Sequence, residues 1–317
     1  NIFHTKQAMS ATPLKNPNSA SPTTETRPVA AETLARFSGK AAVVTGASDR
    51  GIGGAIAERL VREGATVALL SLHEPKRLLK RLKKIESRVA WIHCDVTKPA
   101  EVTQSVQQSL AELGKIDVLV NNAGVEFAKP FEKFSDDEWQ QLLDVNLGGA
   151  IRMTRAVLPH LPSPGGVILN VASALALGGC PSFTIYSAGK AGLIGLTQSL
   201  AWELAPKKIR VLAIAPALVA TPMTLKHLEH LTPEVHRQLE FIHPLGVGLP
   251  HDVAGAAAFL ASDDAAWITG ITLPLGWAPQ YGLPVQQFME AAAAAVDTNG
   301  TATHQTEPTT ERPQKPR

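Results

Sequence analysis

The sequence predicts an α/β protein in which a single doubly wound domain has about seven parallel strands flanked by helices. Short continuous apolar runs rich in Val, Ile and Leu alternate with longer segments of helical period. Strands of this kind are buried on both faces, which is typical of a parallel sheet. The chain has 317 residues, of which 44% are hydrophobic and 18% charged, so one domain with a sizeable core is expected.

The elements alternate regularly along the middle of the chain. Strands are predicted at 41–45, 66–70, 88–93, 116–121, 166–171, 209–215 and, more weakly, 271–275. Helices are predicted at 52–63, 75–86, 99–113, 135–158 and 186–204. This alternation indicates βαβ units.

The two ends of the chain differ from the middle in composition. Residues 1–35 are predicted to be a disordered tail and residues 286–317 a mostly disordered one, on either side of a domain at 36–285. Segments rich in Ser, Thr and Pro bury too little apolar surface to offset chain entropy. The N-terminus lacks the charged start and apolar core of a secretory signal, so a cytoplasmic location is expected.

Charge and cysteine content exclude several classes of partner. The net charge of +2 gives no reason to expect nucleic acid or an anionic membrane. The basic helix 75–86 also has an apolar stripe at helical spacing. Its Lys and Arg side chains are therefore interpreted as the solvent-exposed face of an amphipathic helix. No apolar stretch is long enough to span a bilayer. Cys94 and Cys180 lack metal-ligand spacing, and no metal site is predicted.

The stretch TGASDRGIG at 45–53 lies between the first strand and the first helix. Helix N-termini attract phosphate, and glycines let the backbone approach a pyrophosphate closely. A glycine-rich turn alone is weak evidence, but its place between a strand and a helix strengthens it. The candidate cofactor residues of this turn are Gly46, Ser48, Arg50, Gly51, Ile52 and Gly53.

A candidate proton-transfer group is formed by Ser173, Tyr186 and Lys190. Residues 186 and 190 share one helix face because they are four positions apart. The Lys190 ammonium is expected to lower the pKa of the Tyr186 phenol toward neutral pH. Ser173 follows the fifth strand and can hydrogen-bond a carbonyl oxygen on which charge develops. Taken alone, the Tyr–Lys pair is common on helices by chance.

With further motifs, these residues resemble the short-chain dehydrogenase/reductase family over about residues 37–277. The motifs are TGASDRGIG, Asp95-Val96, NNAG at 121–124, Asn146 in DVNLGG, Ser173 and the Tyr186/Lys190 pair. The resemblance implies a single Rossmann-like domain that moves a hydride between a nicotinamide cofactor and a carbonyl or secondary alcohol. It implies that Tyr186 is the general acid/base, that Lys190 holds the ribose, that Ser173 polarises the carbonyl and that Asn146 holds a relay water.

The resemblance also implies the rest of the cofactor site, and it shows three departures. The implied cofactor residues are Asp95 and Val96 at the adenine, Asn122, Ala123 and Gly124 at the ribose, and Pro216, Val219 and Thr221 near the nicotinamide amide and pyrophosphate. The glycine turn has one residue more than the family pattern. Ala-Pro-Ala at 215–217 replaces Asn-Pro-Gly, and Leu-Gly-Trp at 275–277 replaces Asp-Gly-Gly.

NADP(H) is predicted as the cofactor, with NAD(H) as the alternative. Ser71 stands at the end of the second strand, where NAD-binding relatives carry an acidic residue. Arg50 precedes Gly51, where a basic residue of relatives meets the 2′-phosphate. Leu72 and Glu74 favour NAD(H) instead.

The substrate walls are predicted at 174–185 and 221–246, which are mostly apolar. An apolar or medium-sized carbonyl or alcohol is favoured, including a β-ketoacyl thioester. The neighbouring histidines are interpreted as part of a mobile polar lid, and they are His227, His230, His236, His243 and His251. A homotetramer or homodimer built through helices 135–158 and 186–204 is expected from the resemblance.

Two other functions stay open. One is a dinucleotide-binding regulator or scaffold without catalysis, against which the complete set of Asn146, Ser173, Tyr186 and Lys190 argues. The other is an enoyl-type reductase, which ranks low because such relatives space the tyrosine and lysine more widely.

Overall fold

The computed structural model describes residues 35–228, 239 and 242–276. The predicted tails lie outside these residues, apart from residue 35, and so do Trp277 and most of the substrate wall at 229–241. In the part of the chain that is described, no helix is long and apolar enough to cross a membrane.

Strands and helices alternate as the sequence predicts. The strands are β1 (Ala41–Thr45), β2 (Thr66–Ser71), β3 (Val89–His93), β4 (Val118–Asn121), β5 (Val167–Val171), β6 (Arg210–Pro216) and β7 (Thr272–Leu275). The α-helices are α1 (Ile52–Arg62), α2 (Lys76–Leu82), α3 (Pro99–Leu113), α4 (Asp136–Leu143), α5 (Gly149–Val157), α6 (Leu175–Gly178), α7 (Thr184–Leu204), α8 (Pro222–Leu228) and α9 (Pro250–Ala261).

The seven strands form one parallel sheet in the order β3-β2-β1-β4-β5-β6-β7. The direction in which successive strands are added reverses between β1 and β4. In such sheets, ligands bind in the crevice at the carboxyl ends of the strands, next to the point of reversal. The predicted α/β fold class is therefore confirmed, and the topology identifies the edge at which a site is expected.

Both faces of the sheet are buried under helices, which explains the continuous apolar strands. Along β2, Val67 and Leu69 pack on one side, while Ala68 and Leu70 pack on the other. Helices α1, α2 and α9 cover the first side, and α3, α5 and α7 cover the second. Alternate side chains point to opposite faces of a strand, so a strand covered twice has no polar face.

The predicted helix 135–158 is interrupted by a π-helical turn at Asp144–Gly148. A π-turn widens the helix by one residue and disturbs the regular backbone hydrogen bonds. Here Asn146 Nδ2 donates to the carbonyl oxygen of Leu142 at 2.9 Å, four residues earlier. The side-chain amide thus binds a carbonyl that a backbone N–H would bind in a regular helix, and Asn146 is buried inside the turn.

Candidate active site

The carboxyl ends of β1 to β6 bring most of the predicted site residues to one edge of the sheet. The glycine turn follows β1, Ser71 ends β2, Asp95 and Val96 follow β3, Asn122 to Gly124 follow β4, Ser173 follows β5, and Pro216, Val219 and Thr221 lie at the end of β6 or just after it. The others, Asn146, Tyr186 and Lys190, lie in the π-turn and in α7.

The glycine turn packs directly against the loop after β4. Gly46 has φ +66°, and a Cβ there would lie 2.6 Å from the Cα of Ala123. A Cβ on Gly53 would overlap the side-chain amide of Asn122. Only glycine tolerates this conformation and this approach at residue 46. The missing side chains therefore let the turn pack closely against the loop after β4.

Thr45 and Asn122 hold these two loops together. Thr45 Oγ1 accepts hydrogen bonds from the backbone N–H groups of Asn122 at 2.9 Å and Ala123 at 3.0 Å. In return, Asn122 Nδ2 donates to the carbonyl oxygens of Thr45 at 2.9 Å and Gly46 at 3.1 Å. The Asn122 side chain thus holds the glycine turn against the loop after β4. Sequence reasoning missed Thr45, although the threonine of the TGAS motif was the available signal.

The start of α1 faces the same crevice. Gly51 is its N-cap residue, has extended backbone and has no side chain to cap the helix. The first N–H groups of a helix have no partner within the helix, and they attract anions. The first turn of α1 contains no acidic residue that would repel one. This arrangement suits the pyrophosphate of a dinucleotide.

Lys190 lies beneath the crevice and is only 4% exposed. Its Nζ donates to the carbonyl oxygen of Val171 at 2.9 Å and lies 5.8 Å from the centroid of the Tyr186 ring. Burial lowers the pKa of Lys190 to about 8. An ammonium has three N–H donors, and Val171 occupies one of them.

Burial raises the pKa of the Tyr186 phenol to about 12. A hydrogen bond with Ser173 opposes this rise, whereas the negative charge of Glu126 adds to it. A pKa lowered toward neutral pH was expected from the sequence, but in this structure desolvation raises the pKa of Tyr186 instead. Tyr186 is consequently protonated at neutral pH, the state from which it can donate a proton.

Asn146 joins the π-turn to the loop after β4. Its Nδ2 donates to the carbonyl oxygen of Val125 at 2.8 Å, and its Oδ1 accepts from the N–H of Val125 at 3.3 Å. A Cβ on Gly124 would lie 2.6 Å from Asn146 Oδ1 and 3.3 Å from Lys190 Nζ. Asn146 and Lys190 therefore meet at Gly124.

Replacing Gly124 with alanine is expected to lower kcat/KM by about 100-fold, because the new methyl group displaces Asn146 or Lys190. Steady-state kinetics with a carbonyl substrate provide the measurement. Gly255→Ala in α9 is the matched control, since a Cβ there meets nothing within 4 Å. Unchanged kinetics in Gly124→Ala would contradict the tight approach at this glycine.

A buried polar network supports α7 from below. Asn121 Nδ2 donates to Asn170 Oδ1 at 2.9 Å, and Asn170 Nδ2 donates to Thr197 Oγ1 at 2.8 Å. Asn121 also donates to Thr154 Oγ1 in α5 at 3.0 Å. The network links β4 and β5 to the helix that contains Tyr186. Sequence reasoning missed it, although an asparagine inside an apolar strand such as GVILNV was the available signal.

His243 fixes the loop after β6. It is 5% exposed, and its Nε2 accepts from the N–H of Leu218 at 3.1 Å, one residue before Val219. Its Nδ1 therefore carries the proton and donates to the carbonyl oxygen of Leu239 at 2.7 Å. Within the segment interpreted as a polar lid, the His243 ring is therefore buried and bonded through both nitrogens. The side chains of His227, His230 and His236 lie outside the described part.

The end of β2 carries no carboxylate. Ser71 Oγ accepts from Trp91 Nε1 at 3.1 Å and donates to the carbonyl oxygen of His73 at 2.9 Å. Arg50 is exposed in the glycine turn. An adenosine ribose at this end would meet a neutral hydroxyl at Ser71.

The Asp95 side chain stabilises the turn that follows β3. Its Oδ1 accepts from the N–H and hydroxyl groups of Thr97 at 2.9 Å and 2.7 Å. Burial alone would raise the pKa of Asp95, but the bonds from Thr97 hold it below its usual value. The following Val96 packs so closely on Gly149 of α5 that a Cβ there would lie 2.6 Å from Val96 Cγ2.

Comparison with known proteins gives consistent matches. A protein family described as enoyl-(acyl carrier protein) reductase matches residues 46–275. A 3-oxoacyl-[acyl-carrier-protein] reductase of Chlamydia muridarum (strain MoPn / Nigg) is 40% identical over 239 residues, covering 74% of this chain and 94% of the relative. A 3beta-hydroxysteroid dehydrogenase 1 of Eggerthella lenta is 39% identical over 241 residues, covering 74% and 91%.

The fold has close counterparts among solved structures. A dehydrogenase/reductase from Sinorhizobium meliloti 1021 superimposes with a TM-score of 0.70 at 33% sequence identity. The match covers 76% of this chain and 95% of that one. The similarity thus includes nearly the whole length of the relative.

Proposed function

The chain belongs to the short-chain dehydrogenase/reductase family and is an oxidoreductase that acts on CH–OH or C=O groups, and we propose that NADP(H) is its cofactor and Tyr186 its general acid/base. The observation that carries the proposal is the grouping of Ser173, Tyr186 and Lys190 beside the crevice at the strand ends. The test is whether purified protein oxidises NADPH in the presence of a carbonyl compound.

The residues present fit a nicotinamide dinucleotide. The glycine turn and the start of α1 would hold the pyrophosphate, and the loop at 122–124 would lie along the ribose. The two remaining donors of the Lys190 ammonium would bind the ribose hydroxyls. When bound, the nicotinamide supplies or accepts the hydride, and the protein supplies orientation and charge placement.

The proton path is assigned to three side chains. Ser173 Oγ would donate a hydrogen bond to the substrate carbonyl oxygen, where negative charge develops during reduction. Tyr186 Oη would then transfer its proton to that oxygen, so that one hydride and one proton convert C=O to CH–OH. The buried ammonium of Lys190 would stabilise the phenolate that Tyr186 becomes. In alcohol oxidation, the same groups would act in reverse.

The preference for NADP(H) is supported by the neutral Ser71 and the exposed Arg50. Arg50→Ala is expected to weaken NADPH binding about tenfold and NADH binding much less, because a charge-assisted contact to the 2′-phosphate is lost. Fluorescence titration gives both Kd values. Arg88→Ala, at the amino end of β3, should change neither. A clear preference of the unmodified protein for NADH would contradict the proposal.

An apolar carbonyl compound is proposed as the substrate. Leu175, Leu177 and Met223 lie along the predicted walls near Ser173 and after β6. The two relatives suggest two chemical classes, a 3-oxoacyl thioester and a 3-oxosteroid. An assay of NADPH consumption with acetoacetyl thioester, a 3-oxosteroid and simple ketones separates them.

An enoyl-type reductase is the second candidate because the matching family is described by that activity. The short spacing of Tyr186 and Lys190, on one face of α7, favours carbonyl chemistry instead. Crotonyl thioester tested beside acetoacetyl thioester discriminates the two, since only an enoyl reductase consumes NADPH with the former. A regulator without catalysis would bind NADPH and consume it with neither.

A homodimer or homotetramer is proposed as the assembly. Trp202 on α7 is 85% exposed and Ile151 on α5 is 43% exposed, on the helices that the family resemblance assigns to subunit contacts. Large exposed apolar side chains often mark such contacts. Light scattering of the purified protein measures the mass.

A further inference from the structure

We propose that Asp49, in the lengthened glycine turn, is a positioning residue that fixes the adenosine end of the cofactor site by holding the start of α2. The inference rests on the proposed function, because it concerns the same dinucleotide site. Asp49 lies in the part of the turn that is one residue longer than the family pattern.

The contact is a direct hydrogen bond between two segments that are far apart in sequence. Asp49 Oδ1 accepts from the backbone N–H of Leu78 at 2.8 Å. Helix α2 begins at Lys76 after Pro75, which makes no side-chain capping bond. The N–H of Leu78, the third residue of the helix, is one of those that lack a partner within a helix. Asp49 supplies the cap that the local sequence does not provide.

Leu78 also connects the turn to α1. Its side chain is fully buried, and a Cβ on Gly54 would lie 3.1 Å from Leu78 Cδ2. The same Cβ would overlap the carbonyl oxygen of Ser48. The turn, the first turn of α1 and the first turn of α2 thus meet at one packed point, to which Asp49 adds a hydrogen bond.

The contact between the glycine turn, α1 and α2 also restrains the segment 72–75, which connects β2 to α2. At its beginning, the segment is fixed by Ser71, whose hydroxyl binds Trp91 Nε1 and the His73 carbonyl oxygen. After its end, the first turn of α2 is held by the hydrogen bond from Leu78 to Asp49. The carboxyl end of the second strand is where a sheet of this class holds the adenosine ribose. Loss of either fixed end would let this side of the site move.

The test measures the adenosine half of the cofactor separately from catalysis. Asp49→Ala is expected to weaken the binding of 2′,5′-ADP and NADPH about tenfold in calorimetric titrations. Because α7 is not involved, kcat at saturating NADPH should stay within about twofold. Asp49→Asn keeps an acceptor oxygen, so its Kd should stay within about twofold of the unmodified protein. Asp49→Ser is a second truncation, available if the alanine variant fails to fold.

Glu58→Gln is the matched control. Glu58 Oε2 accepts from Arg81 Nη2 at 2.7 Å, so it also links α1 to α2, but about two helical turns from the glycine turn. This variant should lower the melting temperature and leave the Kd for 2′,5′-ADP unchanged.

Two results would overturn the inference. One is an Asp49→Ala or Asp49→Ser variant that binds 2′,5′-ADP as the unmodified protein does. The other is a Glu58→Gln variant that weakens 2′,5′-ADP as strongly as Asp49→Ala, since the effect would then be a general loss of helix packing. Failure of the unmodified protein to bind either 2′,5′-ADP or NADPH would instead contradict the proposed function.

Discussion

Replacing Tyr186 with phenylalanine is expected to lower kcat/KM for carbonyl reduction by about 1000-fold, within the range that general acid catalysis contributes. The substitution removes the hydroxyl that would donate the proton and keeps the aromatic ring that packs edge-on against Phe183. The Kd for NADPH should stay within about twofold, because the phenol is assigned to the reacting carbonyl. Steady-state kinetics and fluorescence titration on the same preparation measure both quantities.

The neighbouring residue in α7 offers a control for that substitution. Ser187 Oγ is buried and has no hydrogen-bond partner in the described part of the chain. Ser187→Ala therefore also removes a hydroxyl close to the site, but it should leave kcat/KM within about twofold. Full activity in Tyr186→Phe would contradict the assignment of the general acid.

Replacing Lys190 with methionine is expected to stabilise the protein at pH 7 while lowering kcat/KM by at least about 100-fold. The ammonium is 4% exposed and its pKa is lowered to about 8, so the folded state opposes its charge. A depression of this size corresponds to about 3 kcal/mol, and loss of the bond to Val171 offsets part of it. A net gain of about 2 kcal/mol in the free energy of unfolding is expected, measured by urea denaturation.

The stabilisation by Lys190→Met should depend on pH in a defined direction. Below pH 8, both folded and unfolded chains carry the charge, and its burial destabilises the unmodified protein fully. Between pH 8 and the unfolded pKa of about 10.4, only the unfolded chain keeps the proton, so the stability of the unmodified protein rises. The difference between the two proteins should therefore shrink from pH 7 to pH 9.5. An equal difference at both values would show that Lys190 is not the titrating group.

The strands could be predicted from the sequence because a strand buried on both faces is a continuous run of apolar residues. Each predicted apolar run contains most of the observed strand, as at β1, where 41–45 agrees at both ends. The helical predictions were less accurate at their ends. Helix α2 ends at Leu82, and Ile85, three residues later within the predicted helix 75–86, is 45% exposed. A repeat of apolar residues does not tell how far the neighbouring surface extends.

Features that depend on distant residues could not be predicted. Asn146, inside the π-turn, forms two hydrogen bonds with the backbone of Val125, which lies in another loop. Desolvation is the main cause of the raised pKa of Tyr186, and a Tyr–Lys spacing in the sequence does not show it. The extra residue of the turn could be counted in the sequence, but the bond from Leu78 to Asp49 joins the turn to the next helical unit.

The most direct test of the central claim follows hydride transfer itself. NADPH that carries deuterium at both C4 positions is incubated with the protein and a panel of carbonyl compounds, and the products are analysed by mass spectrometry. The expected product is an alcohol with one deuterium on the former carbonyl carbon, formed by the unmodified protein and about 1000-fold more slowly by Tyr186→Phe. Binding of NADPH without deuterated alcohol from any compound of the panel would contradict the account and favour a regulator without catalysis.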